Sequence, residues 1–242
     1  MGKPLVWAHR GASHVAPENT LEAFSLACEM GADGIELDVH MSKDGALIVA
    51  HDETVDRCSS GTGRIIDMTL AEIKQLDFSN RKPGYRGVRA PLLEEVFELV
   101  KPTRMTINIE LKTGIVLYEG IEALCVRLAA ARGMSDRVLY SSFNHYSLLA
   151  VKAAEPGARI APLYTEALVE PWRYAAQIGA YAIHPYYPAM ATPRIMEGLA
   201  ETGILCHPWT VDDEKALGWM ARLGVSAVIT NRPDVARRVF DN

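Results

Sequence analysis

The sequence predicts an α/β chain closed into a (β/α)8 TIM barrel, on three observations. Eight short apolar, β-rich runs recur along the chain, segments with helix-period apolar residues separate most of them, and 242 residues is an ordinary length for one barrel. Alternating strand and helix requires a parallel sheet, and eight such units at this length favour a sheet that closes on itself.

The predicted strands fall at 5–8, 34–39, 105–111, 138–141, 159–163, 180–183, 204–206 and 227–230. After the first, Leu21, Phe24, Ala27 and Cys28 share one face of a helix, with Asn19 as its cap before Thr20, Glu22 as capping-box partner and Gly31 as its stop. Asp44-Gly45, between Val39-His40-Met41 and Leu47-Ile48-Val49, is a hairpin turn signal, so the second strand doubles back. Residues 56–90 then break the rhythm with a Ser/Gly-rich turn at 59–63, a short helix capped by Thr69 and Glu72, and a basic loop at 80–89. About 35 residues cannot build a self-sufficient core. The segment is therefore read as an insertion over the barrel mouth, within a single domain spanning 1–242. Ile121, Leu124, Cys125 and Leu128 mark the helix after the third barrel strand. Internal repeats and low-complexity tracts are absent from the sequence.

The hydrophobic fraction of 49% and charged fraction of 23% are those of an ordinary soluble domain. A formal net charge of −5 gives no long-range attraction to nucleic acid or anionic lipid, so neither a nucleic-acid partner nor stable membrane association is expected. Cys28, Cys58, Cys125 and Cys206 form no Cys-x-x-Cys pair and no compact disulfide framework, which suits a reducing compartment. Residues 1–11 lack the pattern of a secretory signal, and no apolar run approaches the roughly 18 residues of a membrane span; a cytoplasmic location is the expectation.

Residues at the C-terminal ends of barrel strands share one mouth, where such folds place their chemistry. His9 and Arg10 follow the first strand, Glu36 and Asp38 end the second, and Glu110 and Lys112 end the third. Side chains at i and i+2 point to the same face, which pairs Glu36 with Asp38 and Glu110 with Lys112. His51 reaches the same place only if the Asp44-Gly45 hairpin returns the chain. Three converging carboxylates without a counter-charge would cost several kcal/mol to bury. One divalent cation resolves this, and an all-oxygen set favours Mg2+ or Ca2+, with Mn2+ also compatible, over Zn2+. His9 and His51 have the residue type for a general acid and base, holding opposite protonation states. His14, His40, His145, His184 and His207 are read as structural, Asp52 as an orienting group, and Pro17-Glu18-Asn19-Thr20 as loop-to-helix punctuation. Arg10 and Lys112 supply positive charge for phosphate oxygens and balance the carboxylates. Dinucleotide, Walker, zincin and nucleophile-elbow motifs are all missing from the sequence.

Taken together, His-Arg-Gly at 9–11, Pro-Glu-Asn-Thr at 17–20, Glu-Leu-Asp at 36–38, Lys-Asp-Gly at 43–45, Val-Ala-His-Asp at 49–52, Asn-Ile-Glu-Leu-Lys at 108–112, Ser-Ser-Phe-Asn at 141–144 and Trp-Thr-Val at 209–211 carry a resemblance over nearly the whole chain. The sequence resembles the glycerophosphodiester phosphodiesterases of the short cytoplasmic bacterial type. That resemblance implies metal-dependent hydrolysis of a small-molecule glycerophosphodiester to sn-glycerol 3-phosphate and an alcohol, with the 56–90 insertion covering the glycerol side. It implies Glu36, Asp38 and Glu110 as metal ligands, His9 and His51 as acid and base, and Arg10 and Lys112 as phosphate contacts. Phe143 and Trp209 match positions that can line the pocket, and barrel-mouth packing explains them equally well. Pairing into a homodimer through exterior helices is an expectation for which the sequence singles out no surface. One departure is visible: the family often has Thr-Asp-x-Pro near the last strand, where this chain has Thr230-Asn231-Arg232-Pro233. Losing that charge would change a contact behind the site or the preferred metal, and leaves the other positions intact. The rival readings are a lysophospholipase D or phospholipase-C-like diesterase, with Tyr181, Tyr186 and Tyr187 as a candidate apolar face, and a non-catalytic barrel that binds phosphodiesters.

Overall fold

The computed structural model describes residues 2–190, 192 and 194–241. Its strands are β1 (Leu5–His9), β2 (Gly34–Met41), β3 (Leu47–Val49), β4 (Thr106–Leu111), β5 (Val138–Ser142), β6 (Arg159–Tyr164), β7 (Ala182–Pro185), β8 (Leu205–Cys206) and β9 (Ala227–Thr230). Eight of them run parallel in the order β8-β7-β6-β5-β4-β2-β1-β9, and β3 pairs antiparallel on β2. The backbone closes the circle: Ser226 N–H donates to the Cys206 carbonyl at 3.0 Å, Ile229 N–H to Pro208 at 2.9 Å, and Val211 N–H to Ile229 at 2.9 Å. The barrel expected from the sequence is therefore present.

Period-two alternation assigns each strand's two faces. In β2, Ile35, Leu37 and Val39 join Ile107, Ile109 and Leu111 of β4 in one apolar cluster with Phe24, Val96, Phe97 and Ile121 from the surrounding helices. These helices are α1 (Leu21–Glu29), α2 (Leu70–Ile73), α3 (Leu93–Val100), α4 (Ile121–Ala131) and α5 (His145–Ala154), followed by α6 (Pro171–Gln177), α7 (Arg194–Thr202), α8 (Glu214–Leu223) and α9 (Pro233–Asp241). A second cluster does the same for the last strands with α6 to α9. The alternate positions face the lumen, where Trp7 packs with Leu139, Ala161, Ala182, Ala227 and Ile229. Small residues on β6, β7 and β9 leave room for the Trp7 indole and the imidazoles of His184 and His207. The two imidazoles approach at 3.1 Å, and burial lowers both pKa values, His207 to about 3, so this pair is neutral lumen filling.

The hairpin forms as the sequence predicts. Gly45 takes φ +86°, a left-handed conformation that favours glycine, while Ser42 N–H donates to the Ala46 carbonyl at 2.9 Å. The first helix begins one residue later than expected. Thr20, not Asn19, is the cap, accepting from Ala23 N–H, because the Asn19 amide is committed elsewhere. In the 56–90 stretch, α2 carries the expected Thr69–Glu72 capping box, and Ile65, Ile73, Phe78 and Ala90 share a small apolar cluster with Val55 just before it and Ile48 of β3. Among the described residues no helix is long and apolar enough to cross a membrane, and the four cysteines are unpaired.

Candidate active site

Register brings the carboxylates together. His9 sits beside Glu36 across β1 and β2, Glu36 beside Asn108 and Asp38 beside Glu110 across β2 and β4. One oxygen from each of Glu36, Asp38 and Glu110 lies within 4.8 Å of the others. His51 arrives by the hairpin: the β3 ladder continues with Ala50 N–H donating to the Asp38 carbonyl at 3.1 Å, and His40 Nε2 bonds the His51 carbonyl at 3.0 Å. A cavity of about 430 Å³ is lined by His9, Arg10, Glu36, His51 and Glu110 on its polar side and by Phe143, Leu163 and Trp209 on the other. Phe143 and Trp209 meet edge to face at 5.5 Å.

The electrostatics are unbalanced toward negative charge. Burial, then Asp38 and Glu110, raise the Glu36 pKa well above the ordinary range; burial and Asp38 raise that of Glu110. Burial also opposes charge on Asp38, yet Lys112 and Arg10 keep it ionised far below its ordinary value. Lys112 Nζ lies 2.9 Å from Glu110 Oε1 and 3.6 Å from Asp38 Oδ1, and Arg10 Nε lies 3.4 Å from Asp38 Oδ2. Both cations thus offset part of the carboxylate charge. Asp38 Oδ1 is nevertheless buried without a hydrogen-bond partner, as is Oδ1 of Asn108, the neighbour of Glu36 on β4. A divalent cation would supply what these oxygens lack, so the donor set fits a hard metal ion.

The two histidines differ in their partners. His9 Nδ1 contacts the neutral amide oxygen of Asn231 at 2.7 Å, whereas His51 Nδ1 contacts the Asp52 carboxylate at 2.5 Å. Burial and the nearby Arg10 push the His9 pKa down to about 4. Arg57, from the 56–90 stretch, holds Asp52 through Nε at 2.7 Å and Glu18 through two nitrogens at 2.8 Å. Glu18 in turn accepts from Arg10 Nη1 at 3.0 Å.

These residues lie inside a larger match. A profile of the Glycerophosphoryl diester phosphodiesterase family covers residues 9–235. The chain belongs to that family. It is 48% identical over 234 residues to a glycerophosphodiester phosphodiesterase of Caldanaerobacter subterraneus subsp. tengcongensis, covering 96% of each chain. It is also 39% identical to one from Bacillus altitudinis, covering 97% of each. Among solved structures, an Oleispira antarctica phosphodiesterase in complex with the product sn-glycerol-3-phosphate superposes with a TM-score of 0.91 at 28% identity, over 99% of this chain and 98% of that one. A glycerophosphodiester phosphodiesterase from Agrobacterium tumefaciens gives 0.86 at 32% identity, over 97% and 99%.

All nine residues singled out in the sequence are found at this mouth. Arg10 and Lys112 reach it through the ion pairs just given, and Phe143 and Trp209 through the cavity wall. Residues 17–20, read only as punctuation, do more than that. Asn19 adopts φ +57° and its Nδ2 donates to Asp38 Oδ2 at 2.8 Å, which orients that carboxylate. The charge missing at Asn231 is not lost either: Asp212 accepts from Asn231 Nδ2 at 2.6 Å. Arg57 and Asp212 were not read from the sequence, and Asn108 entered only as part of the 108–112 motif, without a role. Asn108 alone left a usable signal, two residues before Glu110 on the same strand face.

Proposed function

We propose that this protein hydrolyses glycerophosphodiesters to sn-glycerol 3-phosphate and an alcohol, using one divalent cation and two histidines. The observation that carries the reading is the convergence of three carboxylate oxygens within 4.8 Å beside two imidazoles on one cavity. Glu36, Asp38 and Glu110 would hold the cation, which when bound neutralises charge on the phosphoryl oxygens. Arg10 and Lys112 add fixed positive charge at the same place, so the substrate's phosphate enters a site already organised for it. His9 and His51 exchange the two protons: one imidazole removes a proton from the nucleophile, either water or the substrate's own glycerol hydroxyl, and the other protonates the departing alkoxide. Asp52, fixed by Arg57, orients His51 for its part. Phe143 and Trp209 exclude water from the apolar side of the cavity and would face the substrate's carbon skeleton.

Residues 56–90 are assigned to the wall over the glycerol side; Lys82 Nζ donates to the carbonyls of Ser13 and His14 at 2.9 and 2.8 Å, which ties this stretch to the His-Arg-Gly loop. The substrate is then a small molecule met in the cytoplasm, with Mg2+ or Ca2+ as the ion and Mn2+ as a substitute. The test is release of glycerol 3-phosphate from glycerophosphocholine, with and without a chelator, across Mg2+, Ca2+ and Mn2+. Metal-restored release is expected, and no release with any ion overturns the reading. Faster turnover of lysophosphatidylcholine than of glycerophosphocholine would replace the substrate class by a lysophospholipid.

A further inference from the structure

Behind His9 lies a chain of polar side chains with a defined direction. Asp212 Oδ1 accepts from Thr230 Oγ1 at 3.0 Å and from the Asn231 backbone N–H at 2.8 Å, while its Oδ2 faces Asn231 Nδ2 at 2.6 Å. A carboxylate only accepts, so the Asn231 amide must present its NH2 to Asp212 and its oxygen to His9. The reverse orientation would set two acceptors against each other at 2.6 Å with no hydrogen between them. Asn231 Oδ1 lies 2.7 Å from His9 Nδ1, and an amide oxygen also only accepts, so Nδ1 carries the ring proton. The lone pair of neutral His9 is then on Nε2, the nitrogen 3.9 Å from Glu36 Oε2.

We propose that Asp212 and Asn231 form a positioning pair that fixes the tautomer of His9, with the base nitrogen Nε2 directed into the site. The inference rests on the reading of His9 as a proton-transfer residue and deepens it: the base nitrogen is chosen by a carboxylate that reaches His9 only through an intervening amide. In this chain the charge sits on Asp212 and the amide on Asn231. The same hydrogen-bond sequence results if the two functional groups are exchanged. An amide at position 212 would accept the Thr230 hydroxyl and the backbone N–H of position 231 through its oxygen. Its NH2 would donate to a carboxylate at position 231, which in turn accepts from His9 Nδ1. Asp212→Asn alone does the opposite. Two amide NH2 groups cannot face each other, so Asn231 turns its NH2 toward His9 and drives the ring proton to Nε2.

The experiment uses the metal-loaded protein with 15N-labelled histidine, in alkaline buffer where the ring is neutral, with the His9 signals identified by their loss in His9→Gln. Wild type is expected to show a protonated Nδ1 and an unprotonated Nε2. Asp212→Asn is expected to show the reverse, with kcat lowered by about 10²- to 10⁴-fold, the usual contribution of one proton-transfer group, and KM changed by less than about threefold. The exchange variant Asp212→Asn with Asn231→Asp should regain both the wild-type tautomer and most of kcat. A wild-type ring protonated on Nε2 overturns the proposal. So does an Asp212→Asn protein that loses activity with its tautomer unchanged, which would mark a merely structural role, and so does a folded exchange variant as slow as the single one. Normal turnover by His9→Ala would instead remove the catalytic reading of His9, leaving the tautomer assignment to stand on the spectrum alone.

Discussion

Glu36 Oε2 accepts the Arg10 backbone N–H at 3.0 Å, a contact that a glutamine carbonyl retains, so Glu36→Gln removes a charge and little else. At an effective dielectric of about 20, two like unit charges at the 4.8 Å limit found among these carboxylates repel by about 3.5 kcal/mol. Arg10 offsets part of that at Glu36, and about 0.5–2 kcal/mol is the usual gain from a single stabilising substitution. The fold raises the Glu36 pKa, so the unfolded chain ionises first as pH rises. Stability is therefore lost between the unfolded and folded pKa values, and the permanently neutral variant escapes that loss. In chelator, Glu36→Gln should melt about 1–8 °C above wild type, with a gap that widens as pH rises beyond the ordinary carboxylate range. Saturating Mg2+ should invert the order, because an ion at a hundredfold excess over its Kd adds about 2.7 kcal/mol to wild type and far less to a site short of one carboxylate. Differential scanning calorimetry across a pH series, with chelator and with Mg2+, reads both halves. A variant that melts below wild type in chelator at every pH would refute the account of the site as charge-strained without its ion.

Three further outcomes are expected. His9→Ala and His51→Ala should each lower kcat by at least about 10²-fold while leaving calorimetric metal binding nearly intact, and near-normal turnover in either would remove it from the chemistry. Gly11→Ala should destabilise by about 3 kcal/mol, because Gly11 has φ +81° and an added Cβ would lie 2.6 Å from the Ala23 carbonyl carbon; a melting temperature within a degree of wild type would contradict this. Arg57→Ala should cost less than about 1 kcal/mol per exposed ion pair yet slow turnover about tenfold by freeing Asp52 and hence His51. Arg57 holds the carboxyls of Asp52 and Glu18 down at about 2, so their contribution to stability is present above the ordinary carboxylate pKa and lost as pH falls through the lowered one. The acid-unfolding midpoint of Arg57→Ala should accordingly move to higher pH, and an unmoved midpoint would show that these pairs do not support the fold.

Much of this was legible because barrel strands are buried on both faces and read as unbroken apolar runs, against which Glu36 and Asp38 stand out. The hairpin was legible because Asp-Gly names its own turn. The limits lay where a side chain's partner is distant in sequence. Asn19 has the composition of a helix cap, and only the approach of β2 to the 17–20 loop makes it a partner of Asp38 instead. Asn231 read as a lost charge because nothing local links it to Asp212, which lies 19 positions away. Strand β7 runs two residues later than its apolar run suggests, since its end is set by pairing of Leu163 with His184 and Tyr164 with Pro185, not by hydropathy.

The contact between His9 and Asn231 joins positions 222 residues apart, across the seam where β1 meets β9. A growing chain therefore carries both histidines and all three carboxylates once residue 110 has emerged, but the partner that orients His9 is still unmade. On the proposed function, a form truncated before β9 would retain Glu36, Asp38 and Glu110 in its sequence but lack the Asn231 contact that directs His9. Competence for turnover thus doubles as a report that the last strand has been sewn in.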